Sequence, residues 1–270
     1  MTESVHFETL EVTHEGGVAH VRLNRPDVHN AFNQVLIAEL IDAFAALGAS
    51  ETTRVVLLSG AGKSFCAGAD LEWMRSARDW TEEQNLADAR NLAEMLRTIA
   101  ECPKPVIARV HGATFGGGVG LAAVADICLA GPRARFCLSE VKLGLTPATI
   151  APHVFEAMGA RAARRYWLTA EVMTAAEAEA VGLAHMVFES DEAMDAQAAA
   201  MLSTLCANGP TAIAETKALV RLVAGRANDA ALDLETSALI ARLRVGEEAQ
   251  EGLASFFDKR KPNWAEKDGA

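Results

Sequence analysis

Short apolar segments alternate with turns and amphipathic stretches along the first two thirds of this chain. Residues 18–23 (VAHVRL) alternate between apolar and polar side chains, which predicts a strand with one buried face. Residues 54–60 and 106–110 are almost continuously apolar, and such runs predict strands that are covered on both faces. Two further short strands are predicted at residues 127–130 and 134–138.

Helical patterns lie between these strands. Asn30 can cap a helix whose apolar side chains recur every three or four residues as far as Leu47. Residues 88–100 also have a helical pattern, and a buried helix is predicted to begin at Leu121. The recurring order of strand, turn and helix predicts an α/β core whose functional sites lie at the strand-to-helix turns.

The chain after about residue 190 has no strand pattern. Thr174 and Glu177 have the spacing of a capping box, and Gly182 is suited to end the helix that they begin. Beyond them, helices are predicted at residues 191–207, 210–224, 230–243 and 247–259. We therefore expect an α/β core that carries the site over residues 1–190 and a helical region for oligomerisation over residues 191–270.

Charge and cysteine usage narrow the classes of function. The net charge of −11 disfavours a nucleic-acid partner, because phosphate binding depends on basic surface. The five cysteines show no CxxC spacing, which favours a reducing compartment such as the cytoplasm. Residues 1–6 lack the basic and apolar regions of a signal peptide, and no apolar run is long enough to span a membrane. The scattered histidines predict no metal site.

Two glycine-rich turns carry the candidate chemistry. The first turn, residues 64–71 (SFCAGADL), and the second turn, residues 111–120 (HGATFGGGVG), each follow an apolar run and lead into a helical pattern. Such junctions point backbone N–H groups into a cleft, where the helix dipole favours negative charge. Two N–H donors that converge on one point form an oxyanion hole. Close packing of helix on strand is the structural alternative for either turn alone.

Other motifs built on glycine do not fit the sequence. A dinucleotide-binding GxGxxG that began at Gly116 would need a glycine where Leu121 stands. The triplet at residues 62–64 (GKS) could end a P-loop, but that motif requires a glycine where Leu57 stands. No GxSxG or HExxH signature occurs either, so the familiar hydrolase and metalloprotease sites are not indicated.

Several short motifs follow one another in a characteristic order: LxRP from Leu23, FxAGADL from Phe65, KPVIAxVxGxxxGGG from Lys104, ADI from Ala125 and SExxxGL from Ser139. In this order the chain resembles the enoyl-CoA hydratase/isomerase, or crotonase, superfamily over roughly residues 7–264. The resemblance implies a spiral of ββα units with a helical C-terminal trimerisation region. It also implies acyl-CoA substrates, no separate cofactor, and a homotrimer or a hexamer built as a dimer of trimers.

The resemblance also implies roles for individual residues. The backbone N–H groups of Ala69 and Gly117 would form the oxyanion hole, and each such donor is worth about 3 kcal/mol. Phe256 and Lys259 would cover the CoA nucleotide of a neighbouring subunit. Further contacts with the substrate are implied at Arg25, Val28, Ala67, Gly68, Asp70, Leu71 and Gly116.

The number of acid/base residues decides the mechanism. Hydratases of this family carry two glutamates, and the chain matches one of them at Glu140 but has Gly120 at the position of the other. A carboxyl group desolvated in a pocket has a raised pKa, which suits proton transfer near neutral pH. A single glutamate is compatible with hydration of an α,β-unsaturated thioester and also with double-bond isomerisation.

The segment after Glu140 favours hydration. Residues 144–153 (GLTPATIAPH) and 158–166 (MGARAARRY) resemble the bacterial methylglutaconyl-CoA hydratases of leucine breakdown. The distal carboxylate of such a substrate would need a polar or cationic partner, for which the candidates are Arg75, Arg78 and His153.

Alternatives of another class also stay open. The chain could be a family member without catalysis, or one that binds RNA through a basic patch at Arg161, Arg164 and Arg165. The acidic balance of the chain disfavours RNA binding. We further expect Asp126 to anchor a strand and Asp70 to hold the first turn by bonding to nearby backbone N–H groups.

Overall fold

Short strands form two sheets in the computed structural model, which describes residues 7–266. The strands are β1 (Leu10–Glu15), β2 (Val18–Leu23), β3 (Val55–Gly60), β4 (Val106–Val110), β5 (Ala113–Phe115), β6 (Ile127–Ala130), β7 (Arg135–Cys137), β8 (Met173–Thr174) and β9 (Met186–Val187). The larger sheet has the order β1-β2-β3-β4-β6-β9, and the smaller has the order β5-β7-β8. In the larger sheet all neighbours from β2 onward are parallel, whereas β1 and β2 form an antiparallel hairpin.

Helices surround and extend these sheets. They are α1 (Gln34–Ala49), α2 (Leu71–Ala77), α3 (Glu82–Glu101), α4 (Gly117–Ala123), α5 (Ala151–Thr169, interrupted at Gly159), α6 (Ala175–Ala180), α7 (Asp191–Ala207), α8 (Pro210–Val223), α9 (Ala230–Arg244), α10 (Glu247–Phe257) and α11 (Asn263–Glu266). Short 3-10 helices lie at Pro26–Val28 and Glu140–Leu143. This mixture of helices and sheets confirms the predicted α/β class.

The central strands are covered on both faces, as their apolar sequences predict. Successive side chains of a strand point to opposite faces of the sheet. Val56 and Leu58 of β3 accordingly join a large buried cluster with α1 and α3, whereas Val55 faces Met194 and Ala198 of α7. Two apolar layers therefore hold β3 and β4 in place, and the turns that follow these strands are the two glycine-rich turns.

Two predicted helix starts are wrong, for local reasons. Asn33 rather than Asn30 caps α1, because its side chain accepts the Leu36 N–H at 2.9 Å. Asn30 is instead fully buried with a φ of 55°. The helix predicted from Leu121 begins earlier, at Gly117, so glycines of the second turn form its first residues. Because glycine has low helix propensity, the sequence pattern did not indicate this start.

Other elements are longer than predicted or were not predicted at all. α3 begins at Glu82 rather than at residue 88, because Thr81 and Gln84 form a capping box ahead of a polar first turn. β1 escaped notice because most of its side chains are polar and exposed at the sheet edge. The first turn leads into α2, as its pattern predicts, whereas the bounds of α5 were not predicted.

The predicted helical region after residue 190 is confirmed, with α7 to α10 ending within two residues of the expected bounds. The capping box of Thr174 and Glu177 also forms, at the start of α6. Asp126 anchors β4 as expected, since its Oδ2 accepts the Val106 N–H and the Lys217 ammonium, each at 2.7 Å.

The five cysteines are free. No helix within residues 7–266 is both long enough and apolar enough to cross a bilayer. Residues 1–6, to which the signal-peptide expectation applies, lie outside the described part of the chain.

Candidate active site

The first turn is held by a bridge to the segment before α1. Phe32 forms an isolated parallel bridge with Ala69. In this bridge the Phe32 N–H donates to the Gly68 carbonyl at 2.7 Å, and the Asp70 N–H donates to the Phe32 carbonyl at 2.8 Å. Because the flanking peptides make both bonds, the Ala69 N–H points away from Phe32. Among residues 7–266 this N–H has no hydrogen-bond acceptor.

The second turn leaves another N–H free at the start of α4. Gly116 precedes the helix with a φ of 49°, a conformation that favours glycine, and no side chain caps the helix. The Gly116 N–H donates to the Cys137 carbonyl at 2.8 Å, which ties the turn to β7. The Gly117 N–H finds no acceptor within the described chain, as expected for the first residue of an uncapped helix.

The two turns contact each other and Glu140. A Cβ atom added to Gly68 would lie 2.9 Å from the Phe115 carbonyl oxygen and 3.7 Å from the Gly116 Cα. A Cβ atom added to Gly116 would lie 3.9 Å from the Gly68 Cα and 3.3 Å from Oε1 of Glu140. The fold therefore brings together both turns and the carboxyl group that the sequence singled out.

Glu140 is half-buried, and one of its carboxyl oxygens has no hydrogen-bond partner within the described chain. It begins the 3-10 helix that Gly144 ends in a left-handed conformation. Its Oε2 is buried and accepts no hydrogen bond from residues 7–266. Burial raises the pKa of Glu140 above its ordinary value of 4.5, although a backbone hydrogen bond opposes the shift. Such a group can take up and release a proton more readily near neutral pH than an exposed glutamate.

Ile150 fills the space beside Gly120, where two-glutamate members of the family carry their other acid. A Cβ atom added to Gly120 would lie 2.4 Å from Cγ2 and 2.8 Å from Cβ of Ile150. Contacts this short cannot be relieved by turning a flexible tip, because both atoms lie at the branch of the isoleucine side chain. Any side chain at Gly120 would therefore have to displace Ile150, and the chain has no second acid at this position.

Two of the predicted substrate contacts bind each other. Nη2 of Arg25 lies 2.9 Å from Oδ2 of Asp70, and Nη1 of Arg25 donates to the Ala31 carbonyl. Asp70 also caps α2, since its Oδ1 accepts the Glu72 N–H at 2.8 Å. The expectation that Asp70 bonds to nearby backbone N–H groups is therefore confirmed. The guanidinium of Arg25, in contrast, is engaged within the chain.

The remaining predicted contacts lie around this centre or apart from it. The Ala67 N–H donates to the His29 carbonyl at 3.0 Å, so the first turn is also tied to the residue after Val28. The side chains of Val28 and Leu71 are exposed. Phe256 is exposed on α10, which packs against α8 and α9, and Lys259 follows that helix with a φ of 54°. A contact of these two residues with a neighbouring subunit's CoA stays a prediction.

The three candidates for a distal carboxylate are placed differently. Arg75 lies in the last turn of α2, the helix that directly follows the first turn, and it is exposed. Arg78 is exposed and pairs with its neighbour Asp79. His153 lines a cavity of about 590 Å³ with residues 123–126, at the end of α4 opposite Gly117.

Three residues of the site were not found from the sequence. The side-chain amide of Asn30 donates to the Ala61, Ser64 and Phe65 carbonyls and so holds the start of the first turn in place. Phe32 supplies the bridge to Ala69, and its ring lies where a side chain on Gly117 would be. Ile150 closes the position at Gly120. Each acts through a contact distant in sequence, so no local pattern could have indicated it.

Comparison with known proteins agrees with this geometry. A family model described as enoyl-CoA hydratase/isomerase matches residues 13–267. The chain therefore belongs to the enoyl-CoA hydratase/isomerase family, and it is an enzyme of that class. The crystal structure of an enoyl-CoA hydratase from Shewanella pealeana superposes with a TM-score of 0.93 at 46% identity, over 96% of this chain and 97% of that one. The crotonase fold is thereby confirmed.

Two curated relatives extend the comparison to named activities. The enoyl-CoA hydratase ACTT6 of Alternaria alternata is 35% identical over 91% of this chain and 80% of its own length. The 2,3-dehydroadipyl-CoA hydratase of Escherichia coli is 31% identical over 94% of this chain and 98% of its own length. Both names describe hydration of an enoyl-CoA, and the second describes an acyl group with two acid functions.

Proposed function

We propose that this enzyme adds water to an α,β-unsaturated acyl-CoA, with Glu140 as its acid and base. The observation that carries the proposal is the Glu140 carboxyl group, whose buried Oε2 accepts no hydrogen bond, beside two turns whose Ala69 and Gly117 N–H groups find no acceptor within residues 7–266. The two amides would hold the thioester oxygen. Fixed donors of this kind stabilise charge as it develops, without reorganisation.

The steps balance with one carboxyl group. Glu140 accepts a proton from water as the water oxygen bonds to Cβ of the substrate, and the electron pair of the double bond moves onto the thioester as an enolate. Protonated Glu140 then returns the proton to Cα, which restores the carbonyl. The raised pKa of Glu140 suits both halves of this cycle, since the group must accept and then release a proton.

A second candidate reaction is isomerisation, and the closed position at Gly120 favours it. Moving a double bond from C3 to C2 needs one base, which removes a proton from C2 and returns it to C4. Ile150 excludes the second carboxyl group that would otherwise help to orient a water molecule. Hydration remains our first candidate, because the segment after Glu140 resembles that of the methylglutaconyl-CoA hydratases.

For the substrate we propose a short acyl group with a distal carboxylate, such as methylglutaconyl-CoA. The dicarboxylic substrate in the name of the Escherichia coli relative supports this choice. Arg75 is our candidate partner for the carboxylate, because it lies on the helix that directly follows the first turn. Arg78 already pairs with Asp79, and His153 faces the other end of α4.

Absorbance of the conjugated thioester distinguishes the candidate reactions. Hydration predicts that methylglutaconyl-CoA loses this absorbance when the enzyme is added, whereas isomerisation predicts that an unconjugated 3-enoyl-CoA gains it. No change with either substrate would refute both candidate reactions for these acyl groups. In the same assay Arg75→Gln should raise KM for methylglutaconyl-CoA but not for crotonyl-CoA, which has no distal carboxylate, and Arg78→Gln serves as the matched control.

Self-association completes the proposal. We expect a homotrimer or a hexamer of two trimers, in which Phe256 and Lys259 cover the nucleotide of the neighbouring subunit. The C-terminal helices support this, because they expose large apolar side chains at Leu234, Ile240, Val245, Leu253, Phe256 and Phe257. Light scattering on the purified protein tests the state directly. The free cysteines agree with a reducing compartment, for which we propose the cytoplasm.

A further inference from the structure

A partly buried ion pair joins the two segments that flank the bridge at Phe32. The Arg25 and Asp70 side chains are only 20% and 9% exposed, with a separation of 2.9 Å between Nη2 and Oδ2. The second terminal nitrogen of Arg25 donates to the carbonyl of Ala31, the residue before Phe32. The guanidinium therefore links the segment before α1 to the end of the first turn.

Asp70 connects the ion pair to the neighbouring residue Ala69. Its N–H donates to the Phe32 carbonyl, its Oδ1 accepts the N–H of Glu72 in the first turn of α2, and its Oδ2 accepts Nη2 of Arg25. Partial burial disfavours ionisation, but the Glu72 amide and the Arg25 guanidinium hold the pKa of Asp70 below its ordinary value. Asp70 is therefore a carboxylate at neutral pH, bound through both oxygens, directly after the residue whose N–H is free.

We propose that Arg25 and Asp70 form a positioning pair, which fixes the direction of the Ala69 N–H, and that Arg25 is not a phosphate-binding cation for CoA. The inference rests on the proposed function, in which this N–H holds the thioester oxygen. An oxyanion donor is effective only where charge develops, and a misplacement of about 1 Å costs about a hundredfold in rate. Because both terminal nitrogens of the Arg25 guanidinium are bound inside the chain, they are not available for bidentate binding of a phosphate.

The two roles of Arg25 predict opposite kinetics. A phosphate contact stabilises the ground state and the transition state equally, so its loss raises KM and leaves kcat unchanged. Loss of a positioning residue weakens an interaction that matters only as charge develops, so kcat falls while the affinity for an unreactive thioester is kept. When two residues act through one contact, the effects of substituting each of them are also strongly non-additive in the double variant.

The experiment compares Arg25→Gln, Asp70→Asn and the double variant with the wild-type enzyme. Arg22→Gln is the matched control, since Arg22 forms an exposed ion pair with Glu11 on the neighbouring strand. The measurements are kcat, the Kd of butyryl-CoA, and the infrared carbonyl frequency of bound butyryl-CoA, which falls when an oxyanion hole polarises the carbonyl.

We expect kcat to fall about ten- to a hundredfold in each single variant. The Kd of butyryl-CoA should rise about threefold or less, which is less than the loss of a charged contact with a phosphate would cause. The double variant should be no slower than the slower single variant, and the carbonyl shift should shrink in all of them. Arg25→Lys should be intermediate, because an ammonium lacks the fork that reaches Asp70 and Ala31 together.

Several results would overturn the positioning role. A higher Kd with unchanged kcat would show that Arg25 binds CoA, and additive losses in the double variant would show that the two residues act separately. A wild-type enzyme that does not shift the carbonyl frequency would instead refute the oxyanion hole and the proposed function with it. If Asp70→Asn does not fold, Arg25→Lys carries the same kinetic and infrared test.

Discussion

Replacement of Glu140 by glutamine is the sharpest test of the site. The amide has the size and shape of the carboxyl group, so the contact with Gly116 is kept, but it cannot accept a proton. General acid–base catalysis contributes about 10²- to 10⁴-fold. Because Ile150 excludes a second carboxyl group at Gly120, we expect a loss near the upper limit, about 10⁴-fold in kcat or about 5 kcal/mol.

The assay is the absorbance change of the enoyl thioester, with the Kd of butyryl-CoA measured in parallel. Affinity should change little, since the two N–H donors are unaltered. Glu156→Gln is a suitable control, because Glu156 is exposed on α5 and lines the separate cavity. A Glu140→Gln enzyme that kept more than about a tenth of its kcat would refute the role of Glu140, since a tenfold loss is below the range of acid–base catalysis.

The same substitution has a consequence for stability. Since burial raises the pKa of Glu140 in the folded chain, ionisation of this group opposes folding at neutral pH. The contribution of protonated Glu140 to folding stability is complete below the pKa that this group has in the unfolded chain. It is lost as the pH rises through the higher pKa of the folded chain. Glu140→Gln should therefore be more stable than wild type at pH 7, and this gain should shrink as the pH falls toward the ordinary value of 4.5. Urea unfolding at both pH values measures it; a less stable variant at pH 7 would contradict it.

Three further predictions concern packing, an ion pair and assembly. Gly120→Ala should lower the free energy of unfolding by about 1–3 kcal/mol through overpacking against Ile150, and Ile150→Ala in the same chain should relieve part of that loss. Lys217→Met should cost about 2 kcal/mol in urea unfolding, because it leaves the partly buried Asp126 carboxylate without its cation. Phe256→Asp should shift the protein to smaller species in light scattering without changing its circular dichroism, and an unchanged mass would exclude this side chain from the interface.

Local patterns predicted the elements whose signals are local. The central strands, the C-terminal helices and the capping box at Thr174 follow from periodicity and short-range chemistry. Both turns and Glu140 were predicted to share a site because their motifs match a known family, and the fold does place them in contact. Periodicity alone could not have brought Glu140 to Gly116, since neither its 3-10 helix nor its burial has a sequence signal.

The parts that could not be predicted depend on tertiary contacts. Asn30 and Asn33 are equally good caps by composition, and the difference arises because the Asn30 side chain is needed by three carbonyls of a later segment. The resemblance implied a substrate contact at Arg25, and no local pattern could have indicated its ion pair with Asp70, 45 positions further on. The same holds for the contact between Gly120 and Ile150.

That last contact has a consequence for anyone who wishes to give this enzyme a second acid. A side chain introduced at position 120 would collide with Ile150, and shortening Ile150 alone would leave a void. Either replacement by itself lowers the stability of the chain, so a second acid at this position requires both replacements together.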